Sequence, residues 1–175
     1  MKSVLKILLP VIFLLISGCL KEMKENEQPE KETDIGIDFI DENKLSELIS
    51  DRNGKLLFVN VWATWCVPCI REFPDIVRIY KEYGDKIDFL SLSADFAEEK
   101  DSVVIPFLKK QNAHFRVFLI NEKRSEQIIN TLNPEWGGAI PASFVFGSDG
   151  KLKLFVSGAR EYKFFSNSID SLLSL

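Results

Sequence analysis

The stretch that most restricts this fold is residues 56–62, a near-continuous apolar run that leads into a C-x-x-C pair, Cys66 and Cys69. An apolar run without alternation is what a strand buried on both faces of a sheet requires. From Val67 onward Ile70, Phe73, Val77 and Tyr80 recur at spacings of three and four. That period predicts a helix ending at Gly84, with Pro74 removing one backbone donor and kinking it. Strand, cysteine pair and helix in this order set the cysteines beyond the carboxyl end of a strand, where open α/β sheets collect functional groups.

The rest of the chain fits a sheet of the same kind. Residues 35–40 read as a short extended piece, and Leu45, Leu48 and Ile49 give helical spacing behind Asp41 as N-cap. Residues 87–92 predict a second buried strand, 101–112 a helix, 115–120 a strand and 122–132 another helix. Apolar segments 142–146 and 152–156 flank Ser148-Asp149-Gly150-Lys151, a hairpin signal because Asp-Gly suits a tight turn. Tyr162, Phe165, Ile169 and Leu172 mark a closing amphipathic helix. These elements predict an α/β domain with a mixed central sheet and helices on both faces.

The N-terminal segment follows different rules. Lys2 precedes a largely apolar run over residues 7–16, too short to span a bilayer, followed by Ser17, Gly18 and Cys19. This is the pattern of a secretory signal, which predicts a chain exported from the cytoplasm. Ile16-Ser17-Gly18-Cys19 also resembles the lipobox of bacterial lipoproteins, which implies a signal peptide at 1–18, a lipid on Cys19 and a membrane anchor. Residues 19–34 are mostly charged or amide-bearing and cannot bury enough apolar surface to fold, so they read as a tether ahead of a domain at 35–175.

Charge and cysteine count narrow the function. The net charge is -4, and falls to -6 once Lys2 and Lys6 leave with the signal. Such a chain lacks the basic face that nucleic-acid binding requires. Of three cysteines, one is taken by the lipobox, leaving a single pair. Two intervening residues close too small a loop for the pair to act as a structural staple. The positive end of the following helix favours a thiolate on Cys66, which makes it the attacking thiol. Cys69, one turn on and more buried, is placed to resolve a mixed disulfide. Chemistry confined to two thiols needs no cofactor.

Trp62-Ala-Thr-Trp65-Cys66-Val67-Pro68-Cys69, with Glu72 and Pro74 beyond it, resembles the TlpA/ResA branch of the thioredoxin superfamily over residues 35–175. The resemblance implies a thioredoxin-like fold outside the cytoplasmic membrane and thiol-disulfide oxidoreductase activity, with reduction favoured. It implies protein disulfide substrates, apocytochrome c among them, and a membrane thiol-disulfide carrier of the DsbD/CcdA type as electron source. Ile140-Pro141 matches the family's cis-proline, whose neighbouring backbone pairs with an extended partner segment. Trp65, Val67, Pro68, Ile140 and Pro141 are therefore the expected partner-facing residues. Glu72 matches the branch's active-site acid, and partial burial would raise its pKa and let it exchange a proton with Cys69. Thioredoxin itself carries a buried acid two residues before the first Trp, where this chain has Asn60, read as a core hydrogen-bonding residue.

Three other functions compete. A copper or other metal chaperone could use the two thiolates with a third ligand, but the one histidine, His114, stands alone, and chaperones of this fold resemble C-x-x-x-C proteins with a distal His. A peroxidase of the peroxiredoxin type needs a lone cysteine in a Thr-x-x-Cys setting, and Thr64 is misplaced for it. A binding lipoprotein without catalysis would have no use for an intact C-x-x-C. Trp136, in the loop before Pro141, serves either partner contact or core packing.

Overall fold

The computed structural model describes residues 36–51 and 54–174. The expected signal peptide, Cys19 and the tether lie outside the described residues. Six strands form one sheet: β1 (Asp38–Ile40), β2 (Leu57–Trp62), β3 (Asp88–Ser93), β4 (Arg116–Ile120), β5 (Ala142–Phe146) and β6 (Leu152–Ser157). Among the described residues five α-helices accompany them: α1 (Glu42–Ser50), α2 (Val67–Tyr83), α3 (Ile105–Lys110), α4 (Ser125–Leu132) and α5 (Tyr162–Leu173).

The sheet order is β1-β4-β3-β2-β5-β6. The pairs β1–β4, β4–β3 and β3–β2 are parallel, while β2–β5 and β5–β6 are antiparallel. The sheet is therefore mixed, as the sequence predicts, and β2 lies inside it with both faces covered. All six residues of β2 are buried, which is why its sequence does not alternate.

Each face of the sheet carries its own core. Phe58, Trp62, Phe89, Val117 and Val145 pack with Phe73, Ile76 and Ile79 of α2, Leu108 of α3, and Phe165 and Ile169 of α5. On the other face Val59, Val61, Leu90, Leu92, Phe118 and Phe144 meet Leu45 and Ile49 of α1 and Ile128 and Leu132 of α4. Tyr83 donates to Asp170 at 2.9 Å and ties the end of α2 to α5.

Several local expectations are refined. Asp41 does cap α1, accepting from the Lys44 N–H at 2.8 Å. The helix expected over 101–112 follows a 3-10 turn at Ala97–Glu99, starts within a π turn over Lys100–Val104 and is α-helical only over Ile105–Lys110. Pro106 explains the break, because it has no N–H to give an α-helical ladder and sits where that loss matters least, in the first turn of α3. Likewise 122–124 is a 3-10 turn ahead of α4. α2 is continuous across Pro74 and ends before Gly84. Gly84 keeps a right-handed backbone, φ -59°. It is small because a Cβ there would lie 2.7 Å from the Tyr80 carbonyl oxygen.

Candidate active site

Cys66 occupies the N-cap of α2, immediately past the end of β2. Its extended backbone, φ -89° and ψ 100°, turns the chain out of the sheet, and its Sγ accepts from the Cys69 N–H at 3.3 Å. A helix N-terminus presents unpaired N–H groups and partial positive charge, so a sulfur in the capping position gains most when it is a thiolate. Cys66 and Cys69 are joined in a disulfide. Cys66 is 6% exposed and Cys69 1%, so an incoming thiolate meets the Cys66 sulfur first.

The Ile140–Pro141 peptide bond is cis. Pro141 is buried, and Cys66 Sγ lies 3.7 Å from the Ile140 carbonyl oxygen. The fold thus brings together two segments separated by 74 residues. Trp65 (57% exposed), Val67, Pro68 and Ile70 stand out from the motif beside the disulfide, and Phe96 is exposed in the loop after β3. Trp62, the other tryptophan of the motif, is fully buried and donates from Nε1 to Ser91 Oγ at 2.7 Å.

Glu72 is one turn beyond Cys69 on the same side of α2 and is only 5% exposed, not paired at the surface with Arg71. Its Oε1 accepts the Arg160 N–H at 2.8 Å from the loop between β6 and α5. Burial pushes its pKa up from 4.5 to about 7; the Arg160 N–H, the Asn60 side chain and the Arg160 charge oppose that rise only partly. A carboxyl that titrates near neutrality one helical turn from a cysteine has the acidity suited to taking up or giving up a proton at physiological pH.

Sequence reasoning missed a second buried acid. Asp95, 1% exposed, follows β3 and accepts the Thr64 N–H at 2.9 Å and the Ser93 hydroxyl at 2.6 Å, with the Thr64 hydroxyl as a further donor. These bonds fasten the turn that carries Trp65 and Cys66. The signal available was an acid directly after a buried strand, on the edge of the sheet where the cysteines also fall. Trp136 belongs to the core: it is 4% exposed, donates to the Ala139 carbonyl at 2.9 Å and packs against Phe144 with ring centroids 5.2 Å apart. His114 is exposed beside Asn112. Among the described residues no three His, Cys, Asp or Glu side chains cluster as a metal site.

Known proteins share both the fold and the chemistry of this site. A profile of the AhpC/TSA family matches residues 31–155. The thiol-disulfide oxidoreductase ResA of Bacillus thuringiensis (strain Al Hakam) is 33% identical over 141 residues, 80% of this chain and 75% of that protein. The thioredoxin-like protein YneN of Bacillus subtilis (strain 168) is 26% identical over 70% of this chain and 68% of its own. In three dimensions, a thiol:disulfide interchange protein of the thioredoxin family from Chlorobium tepidum TLS superposes with a TM-score of 0.59 and 26% identity, over 73% of this chain and 84% of that one. With a C-x-x-C disulfide capping a helix opposite a cis-proline, this chain belongs to the thioredoxin-like AhpC/TSA family and is a thiol-disulfide oxidoreductase.

Proposed function

We propose that the protein is exported and lipid-anchored through Cys19, and that it reduces disulfides in other exported proteins, apocytochrome c among them. The observation that carries this reading is the placement of three groups on one helix end: Cys66 at the cap, Cys69 beneath it, and the buried Glu72 one turn further on.

The chemistry follows from that order. In the dithiol form the Cys66 thiolate attacks one sulfur of the target disulfide; that bond breaks, and the departing target thiolate takes a proton. The Glu72 carboxylate then accepts the Cys69 proton, and Cys69 attacks the Cys66 sulfur, releasing the second target thiolate and closing the Cys66–Cys69 disulfide. Two electrons pass from the enzyme dithiol to the target disulfide. A membrane dithiol carrier of the DsbD/CcdA type returns them.

The partner lies over the apolar surface formed by Trp65, Val67 and Pro68, with its extended segment along the backbone of Ile140 and Pro141. The bared rings and aliphatic side chains there support this, since a scatter of apolar groups around a reactive sulfur marks a contact surface. The deciding measurement is the reduction potential of the Cys66–Cys69 couple, equilibrated against dithiothreitol with trapping of free thiols. A potential near or below roughly -250 mV supports a reductase, and one near about -120 mV makes the protein an oxidant instead. Radiolabelled palmitate incorporation that survives Cys19→Ala would remove the lipid anchor from the proposal.

A further inference from the structure

Asp95 does more than its bonds to the turn require. Its Oδ1 accepts the Thr64 N–H at 2.9 Å and the Thr64 hydroxyl at 2.5 Å, and its Oδ2 accepts the Ser93 hydroxyl at 2.6 Å. The Ser93 oxygen in turn accepts the Asp95 N–H at 3.1 Å, which leaves the hydroxyl proton for the carboxyl group. Hydroxyl bonds this short fall in the range of about 2.5–2.7 Å found when the acceptor is charged. Neighbours that all donate suit an ionised carboxylate, which only accepts. Among the described residues no Lys or Arg side chain forms an ion pair with it. The fold thus keeps a buried negative charge with no cation against it.

One peptide group joins that charge to the nucleophile. The amide between Ala63 and Thr64 gives its N–H to Asp95 and its carbonyl oxygen to the Cys66 N–H, the latter at 3.2 Å. Peptide dimensions then hold the carboxylate within roughly 9 Å of the Cys66 nitrogen. Trp62 and Ala63 beside this bridge are fully buried, so water does little to screen it. A charge on Asp95 therefore opposes a charge on Cys66, and it polarises the amide whose carbonyl faces the Cys66 backbone. It works against the end of α2, which favours the thiolate.

We propose that Asp95 is a positioning residue whose fixed charge disfavours the Cys66 thiolate and so makes the dithiol a stronger reductant. The inference deepens the exchange mechanism proposed above and rests on it for Cys66 as the attacking thiol. Two other charged groups lie close to the motif, Glu72 on α2 and Arg160 in the loop before α5. The Ile140–Pro141 segment, against which the Cys66 sulfur rests, adds none.

The test compares the full-length native chain with Asp95→Asn. The amide keeps an acceptor for the Thr64 N–H, and its NH2 finds an acceptor in the Thr64 or Ser93 hydroxyl, so the charge is the main thing removed. Glu72 and Arg160 are common to both chains and cancel in the difference. Alkylation of reduced Cys66 by iodoacetamide, followed against pH, should show the thiol midpoint falling by about one pH unit in the variant. Equilibration with dithiothreitol should give equal potentials where the thiols are protonated. Above both midpoints the variant should be the more oxidising by about tenfold in equilibrium constant, or about 30 mV. A role in structure alone would lower the unfolding midpoint and leave both readouts in place.

An unchanged thiol midpoint in the folded variant overturns the proposal. If the variant does not fold, the native chain decides: its Cys66 midpoint should lie at or above the value of about 7 found in thioredoxin, and one well below that overturns the proposal too. The native potential judges the reductase reading separately, since an oxidising native couple would end that reading while the difference between the two chains still tests Asp95.

Discussion

The two faces of the sheet draw on the same strands and differ in what they tolerate. On β2, β3 and β5, the residues facing α1 and α4 are Leu57, Val59 and Val61, Leu90 and Leu92, and Ala142, Phe144 and Phe146. The alternate residues of those strands, which face α2 and α5, include Asn60, Ser91 and Ser143. Glu72 and Ser166, the buried polar side chains on helices among the described residues, also lie on α2 and α5. One face is therefore a dry core whose work is stability. The other holds polar groups under the disulfide that are largely hydrogen-bonded, as buried polar groups must be to offset their desolvation. The difference separates residues that hold the protein up from residues that set its chemistry.

Substitutions on the two faces should fall apart along that line. The largest effect is expected from Cys66→Ser, which removes the attacking sulfur and should lower disulfide reduction to background, at least about a thousandfold. Its unfolding midpoint should stay close to that of the reduced wild type. If the variant keeps measurable turnover, Cys66 is not the nucleophile.

Phe144→Ala, on the dry face, empties a fully buried site between Trp136 and Phe155. It should destabilise the fold by about 3–5 kcal/mol by urea unfolding. The pH profile of exchange in the folded enzyme should not change, and a shifted profile would show that the faces are coupled.

Glu72→Gln should do the reverse. Because the folded pKa of Glu72 is raised, the native state holds its proton more tightly than the unfolded chain does. Below the unfolded value of 4.5 both states are protonated and burial carries no penalty. As pH rises from there to about 7, the unfolded chain ionises first and the native state loses stability, reaching a deficit of about 3 kcal/mol above that range. The variant should therefore be more stable than wild type at alkaline pH and equal to it in acid, with a flattened pH dependence of exchange. Equal stabilities at all pH values would show that Glu72 is not buried as an acid.

Ser91→Ala is the mildest of the four. It strands the buried Trp62 N–H and should cost about 1–2 kcal/mol by urea unfolding, with turnover little changed. A turnover loss larger than the stability loss would assign Trp62 a part in the chemistry.

How much of this was legible beforehand depended on range along the chain. The unalternating run over 56–62 gave β2, the Asp-Gly turn gave the β5–β6 hairpin, and the helical period from Val67 gave α2, because each signal is written within a few residues. The π turn at Lys100–Val104 was not legible, since a helical run of residues does not by itself tell a π turn from an α turn. The helix does end at Gly84 as its period predicts, but the reason for a glycine there, a close approach to Tyr80, is a contact only the folded helix reveals. At the site, the cysteine pair and the position of Pro141 were readable from the motif. Asp95, Ser143 and Arg160 were not, for each is an ordinary polar residue until folding sets it against the site.

The sequence alone determined the chemistry available: two thiols at the start of a helix, a carboxyl one turn beyond, and an apolar strand leading to them. Those are local patterns, enforced by helix spacing and by the need to bury β2. Only the tertiary structure decided the acidity of that carboxyl, because desolvation depends on what packs over a group. The backbone N–H that meets Glu72 comes from a residue 88 positions away, and the Asn60 and Ser143 side chains beneath it are brought side by side by the antiparallel pairing of β2 with β5.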